Sequence, residues 1–243
     1  MIYNKSENCL NFWNNTEWKS LCGDLETDIE CGDPVKGLVT FTYKGNSVTY
    51  GTVISETGRC WLDRNLGASR VAISKTDSQA YGDLFQWGKL DDGHQDRNSN
   101  VRNGTSNSDN PGHGDFLRRL NDSGDWRNPR NDNLWQGVDG INNPCPLGFR
   151  IPTITEWENE KNTWTQQGSN GAYASNLKLS TGGERYFNGT IWKINNEGNY
   201  WSSTKEEAMA KRLYFGIDQY GPFTFLSTYG RVHGASVRCI KNE

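Results

Sequence analysis

Asn199-Tyr200-Trp201-Ser202-Ser203-Thr204, then Leu213-Tyr214-Phe215, then Ser236-Val237-Arg238-Cys239-Ile240 form the stretch that decides the fold. Gly198 makes a turn ahead of it, and Tyr200 and Trp201 are large apolar anchors. Apolar and polar residues alternate around Leu213 and again around Val237, which predicts strands with one buried face. Leu213 and Phe215 are the expected inward pair, leaving Arg212 and Tyr214 outward. Between the strands run Asp218 to Phe225 and Tyr229 to His233, read as aromatic and polar side chains on loops and strand ends.

More of the chain carries short aromatic motifs upstream. They are Cys60-Trp61-Leu62-Asp63-Arg64-Asn65-Leu66-Gly67, Tyr81-Gly82-Asp83-Leu84-Phe85-Gln86-Trp87-Gly88, and Asn143-Pro144-Cys145-Pro146-Leu147-Gly148-Phe149-Arg150-Ile151-Pro152-Thr153 with Glu156-Trp157. From about Val48 to Lys241 these stretches resemble the Fibrobacter succinogenes major paralogous domain. The resemblance implies an α+β, C-type-lectin-like fold with a long irregular loop region. It is of the branch shared with formylglycine-generating enzymes and with the variable proteins of diversity-generating retroelements. It says little of function, because one fold hosts many activities.

Composition agrees with a folded module. At 243 residues the chain can bury a sizeable core. Hydrophobic residues are only 33%, but 10 Trp and 27 Gly imply a core of few, large anchors joined by many turns. A net charge of −3 without a basic patch gives no reason to expect nucleic acid. No apolar run is long enough to span a bilayer. Met1-Ile2-Tyr3-Asn4 lacks the basic start and apolar stretch of a secretory signal.

Six cysteines stand at Cys9, Cys22, Cys31, Cys60, Cys145 and Cys239, none in a Cys-x-x-Cys pair, so a structural zinc site is not expected. An even count in a loop-rich chain favours disulfides and an oxidising compartment. Fifteen pairings are possible. Cys9–Cys22, Cys31–Cys60 and Cys145–Cys239 are favoured: the first closes a short hairpin, and the last ties the Asn-Pro-Cys-Pro turn to the final strand.

Two units are expected, 1–32 and 33–243. The first reads as a small β-hairpin around Asn14-Asn15, similar to a motif in front of many Bacteroidetes surface and phage-fibre modules. In the second, Leu38 to Tyr50 predicts a hairpin turning at Gly45-Asn46, and Cys60-Trp61-Leu62 a strand. Gln79 to Trp87 fits a short strand or a helical turn. Residues 88–143 form the long loop region, punctuated by Trp126 and Trp135. Thr153 with Glu156 predicts a capping box opening a helix to Trp164. After a glycine-rich turn, Leu177-Lys178-Leu179 reads as a strand, Tyr186 to Trp192 as a hairpin with Asn188-Gly189 at its tip, and Glu206 to Arg212 as one or two helical turns.

The catalytic templates are missing: there is no Gly-x-Ser-x-Gly elbow, His-Glu-x-x-His, phosphate loop or dinucleotide fingerprint. Cys145 and Cys239 fall where the resemblance implies structural cysteines, so the formylglycine-generating activity is not carried over, and no enzyme is expected. His94 and His113 lie near Asp91, Asp92, Asp96 and Asp115; a transition-metal site there is weighed against exposed loop histidines without a role, which are commoner. Asp91, Asp92, Asp96, Asp109, Asp122, Asp125, Asp132 and Asp139 could supply a structural calcium with oxygens, or simply make turns. The metal is therefore left unknown and no cofactor is named.

The remaining candidate is a ligand face of Tyr214, Asp218, Tyr220, Tyr229, Arg231 and His233, since Tyr and Arg concentrate binding energy. The resemblance adds that related variable proteins place their diversified residues on this part of the fold. The expected function is a non-catalytic extracellular or cell-surface module that binds a glycan or a protein receptor. The alternative is an assembly role, as a phage-fibre tip on a virion or a filament subunit, with homo-oligomers.

Overall fold

The computed structural model describes residues 2–4, 9–13, 16, 18–20, 29–119 and 124–243. The chain divides into two compact units, Met1–Glu30 and Cys31–Glu243. In the first, β1 (Ile2–Asn4), β2 (Cys9–Trp13) and β3 (Trp18–Ser20) form one antiparallel sheet in that order. The expected Cys9–Cys22 pair lies outside the described residues.

The second unit is mixed α and β, mostly β, with few helices and several small antiparallel sheets. A hairpin of β4 (Val39–Tyr43) and β5 (Asn46–Tyr50) leads to β6 (Thr52–Ile54) and β7 (Cys60–Leu62). The first tip is Lys44-Gly45, not Gly45-Asn46: both residues have positive φ, 49° and 74°, as a two-residue hairpin turn requires. A 3₁₀ turn (Ser78–Ala80) and β8 (Phe85–Gln86) follow, so the Gln79 to Trp87 segment holds both a helical turn and a strand. Then come β9 (Val101–Asn103), β10 (Phe116–Arg118), β11 (Phe149–Arg150), α1 (Ile154–Asn162) and α2 (Gly168–Ala174). The last third is strand: β12 (Glu184–Arg185), β13 (Ile191–Trp192), β14 (Glu197–Glu206), β15 (Met209–Asp218), β16 (Gly221–Gly230), β17 (Gly234–Ala235) and β18 (Ile240–Lys241). Sheet orders are β11-β18-β7-β6, β13-β12-β17-β8 and β14-β15-β16.

The expected capping box opens α1. The Thr153 hydroxyl accepts from Glu156 N at 3.2 Å, and the Glu156 carboxylate accepts from Thr153 N at 2.7 Å. A bulge in β14 between Trp201 and Lys205 fastens this end of the helix. Ser203 N donates to Pro152 O at 2.8 Å and Ile154 N to Thr204 Oγ1 at 2.9 Å.

Four local expectations are corrected. Leu177 to Leu179 is no strand: Lys178 takes a φ of 49°, and the segment drops Leu177 and Leu179 into the core. Gly168 to Ala174 is a short helix where a glycine-rich turn is expected. Glu206 to Arg212 is not helical, because Glu207 at φ 49° turns the chain between β14 and β15. Asp218 to His233 is not mainly loop: β16 pairs with β15 over ten positions, and this long-range ladder overrides local preference.

One core lies between β7, β14 and β15 and the two helices. Trp61 packs on Trp157 with ring centroids 4.9 Å apart, and Tyr200 stacks on Phe215 at 5.7 Å. Gly198 makes no turn but lies within β14 opposite Phe215, and it is glycine because a Cβ there would collide with the Phe215 ring. A second cluster of Leu117, Trp126, Leu134 and Val232 organises the long irregular region. There Trp126 Nε1 donates to Trp87 O at 2.6 Å and Trp135 Nε1 to Asn142 O at 2.9 Å, so the aromatics staple a segment with little regular structure.

Two of the expected disulfides are formed, Cys31–Cys60 and Cys145–Cys239, each with Cα atoms 5.8 Å apart. The second closes a separation of 94 residues, worth roughly 4–5 kcal/mol on chain-entropy grounds. No helix among the described residues is long and apolar enough to cross a membrane.

Candidate functional site

Residues directly opposite one another in an antiparallel sheet share a face. The register Glu197↔Gly216, Asn199↔Tyr214, Tyr214↔Phe225, Arg212↔Ser227, Gly216↔Phe223 and Ala210↔Tyr229 therefore puts these residues together. Tyr200, Leu213, Phe215 and Leu226 occupy the other face and join the core. Leu213 and Phe215 are the inward pair, as the alternation predicts.

Arg212 sits at the centre of the outer face. Its guanidinium donates to Glu184 Oε2 at 2.9 Å, Asn199 Oδ1 at 2.5 Å and Ser227 Oγ at 3.3 Å. It lies 3.4 Å from the Tyr229 ring centroid and 4.7 Å from that of Tyr214. It is turned outward but buried, not solvated, because ring planes and a carboxylate enclose it.

Aromatic contacts run without a break on both sides of this cation. On one side Tyr229 stacks on His233 at 3.9 Å, His233 meets Tyr186 at 4.8 Å, and Tyr186 meets Trp192 at 6.1 Å. On the other, Tyr214 meets Phe223 at 4.8 Å, and Phe223 stacks on Phe225 at 5.7 Å. The row is open at its ends, where Trp192 is 52% and Phe225 56% exposed. The Asn188-Gly189 hairpin, formed as the sequence predicts, delivers Tyr186 and Trp192.

The electrostatics of the row favour neutral rings. Burial, then the adjacent Glu197 carboxylate, pushes the Tyr214 hydroxyl up. Burial, then Glu184, does the same to Tyr229. Burial, then the Arg212 charge, holds the His233 imidazole down to about 3. Two buried nitrogens here, Asn199 Nδ2 and His233 Nδ1, have no hydrogen-bond partner.

The six residues expected to form a ligand face do not stay together. Tyr214 and Tyr229 flank Arg212, and His233 lies beneath Tyr229, 2% exposed. Asp218 and Tyr220 stand at the β15–β16 tip, where Asp218 Oδ1 accepts from Tyr220 N at 2.8 Å and Tyr220 is 89% exposed. Arg231 is corrected outright. It is fully buried, with its guanidinium 4.3 Å from the Trp87 ring centroid and paired with Asp132 at 2.8 Å and Asp125 at 3.3 Å. It also donates to Glu207 O and Met209 O, so it clamps the long irregular region onto the β14–β15 turn. A charge this deep is retained because it is paired and hydrogen-bonded.

Reading the sequence misses Arg212 as an organising group, and with it Glu184, Asn199, Glu197, Tyr186 and Trp192. The Tyr186 to Trp192 hairpin is legible, but nothing local says that it meets β15.

His94 is likewise buried, not exposed. Its Nδ1 lies 2.6 Å from Asp92 Oδ1 and its Nε2 accepts from Gln86 N at 3.0 Å. Burial above all holds it down to about 3. Among the described residues no group of three metal-ligating side chains could hold a metal ion. Asp92, Asp96, Asp125 and Asp132 instead face Lys89, Lys44, Arg231 or turn amides. Asp122 lies outside the described residues.

No family model, curated protein or solved structure matches this chain.

Proposed function

We propose that the Cys31–Glu243 unit is a non-catalytic extracellular or cell-surface binding module with a C-type-lectin-like fold. Its ligand, a glycan or a protein, lies on the aromatic row between Trp192 and Phe225. The observation that carries this reading is the row itself: rings held on paired strands, exposed at both ends, with Glu184, Glu197 and Arg212 among them. Rings fixed in advance bind with little ordering cost, and flat apolar faces beside hydrogen-bonding groups suit sugar rings or a protein anchor. The two disulfides support an oxidising compartment. A glycan array, with and without calcium, tests the reading: specific retention that is lost in Trp192→Ala and Phe225→Ala supports it. Retention that both variants leave unchanged places the ligand elsewhere.

The alternative, an assembly role in a fibre or filament, is favoured by a separate observation: among the described residues no backbone group of residues 222–229 bonds to anything but β15, so the outer edge of β16 is unpaired there.

A further inference from the structure

The two edges of the β14-β15-β16 sheet are treated differently. The β14 edge is sealed by backbone bonds: Gly183 N to Glu197 O, Trp201 N to Ser236 O, Ser236 N to Asn199 O and Ser203 N to Pro152 O, at 2.8–3.0 Å. The β16 edge has nothing equivalent. Among the described residues, no backbone group of residues 222–229 bonds to anything but β15. Alternate amides and carbonyls along a ten-residue strand therefore point outward unpaired.

Proteins protect such edges with charges, bulges, short strands or a covering segment. β16 reads Gly-Pro-Phe-Thr-Phe-Leu-Ser-Thr-Tyr-Gly, with no charged residue and an unbroken register to β15. Only Pro222, near its start, is of the protective kind. We propose that β16 pairs antiparallel with β16 of a second copy of this chain, joining the two three-stranded sheets into one of six strands.

Charge and symmetry favour this occupant. In a twofold pairing every side chain near the axis meets its own kind, so a charge there would repel itself; β16 carries none. The axis falls near Phe225 and Leu226, the middle of the strand. Phe225, 56% exposed, then lies beside its equivalent and both lose apolar surface to solvent. Each copy brings one open edge of this sheet, so the contact closes at two copies. The pairing uses backbone groups and stands whether or not the aromatic row binds a ligand.

Sedimentation equilibrium of the full chain, with hydrogen exchange read on residues 221–230, tests it. The expected result is a reversible dimer in which alternate β16 amides gain protection as concentration rises. Thr228 is exposed on β16, opposite Lys211. Thr228→Glu puts a charge on the edge while Lys211 supports it within the fold, and should weaken association about tenfold or more. Thr228→Val, uncharged and β-branched, should associate as the parent does, which separates lost pairing from lost folding. A monomer at every concentration overturns the proposal, as does a dimer without β16 protection. Protection already complete in the monomer also overturns it, since another segment of the same chain would then cover the edge.

Discussion

The two faces of β14–β16 are built from the same strands by the same alternation, yet they hold their aromatics by different forces. On the inner face Tyr200, Leu213 and Phe215 are fully buried against Trp157, Leu177 and Leu179, and area removed from water dominates. On the outer face Tyr214, Phe223 and Phe225 keep part of their surface open, and a buried arginine orders them. The inner face spends its rings on stability. The outer face keeps rings rigid and accessible at once, which apolar packing alone does not do.

The largest effect should come where the outer face closes over. Trp201 shares the outer register with Arg212, but it is fully buried and its Nε1 donates to Phe85 O at 2.7 Å. Trp201→Ala should destabilise by roughly 3–5 kcal/mol in denaturant unfolding. A much smaller loss would mean that this end of the face is open.

Arg212→Ala comes next. It leaves Glu184 and Asn199 without their shared donor and separates the Tyr214 and Tyr229 rings. Breaking a buried pair from one side costs about 3 kcal/mol. Near-ultraviolet circular dichroism should show the aromatic signal weakened while the inner core persists. An unchanged aromatic signal would show that the row orders itself without the cation.

Acid should act on the outer face through His233. Its pKa lies near 3 in the fold against an ordinary 6.5, so below pH 6.5 the unfolded chain takes a proton that the folded chain refuses. The stability tied to the neutral ring is whole above pH 6.5 and is lost as pH falls from there towards 3. His233→Phe keeps a ring between Tyr186 and Tyr229 and removes the titration. Melting curves of parent and variant should converge above pH 7 and diverge in acid, with the parent falling faster; parallel curves would refute the assignment.

The smallest stability changes belong to the open ends. Trp192→Ala and Phe225→Ala should shift stability by about 0.5 kcal/mol or less. If the row is a ligand site, each should weaken binding by roughly 1–2 kcal/mol. Tyr220→Ala, at the hairpin tip, should leave stability within the same 0.5 kcal/mol, and its effect on affinity decides whether the site extends to the tip.

Much of the fold is legible where one local rule suffices. The Thr153 and Glu156 capping box, the Asn188-Gly189 hairpin and the inward Leu213 and Phe215 follow from spacing and residue type, whereas the Cys31–Cys60 and Cys145–Cys239 pairs, favoured among fifteen pairings, join cysteines 29 and 94 positions apart. Local reading fails where a distant strand decides. Glu206 to Arg212 has helical preferences, but pairing with β14 and β16 is worth more. Arg231 and Arg212 lie 19 positions apart and look alike in sequence. One is walled in by Trp87, Asp125 and Asp132 from the long irregular region, and the other by Glu184 from a hairpin.

By itself the sequence determined which residues alternate, turn and cap, because those properties depend on neighbours a few positions away. Only the tertiary structure decided which aromatic residues form one row, which arginine holds it, and which strand has an unpaired edge among the described residues. These depend on contacts between segments far apart in the chain, and no local pattern encodes a partner's position.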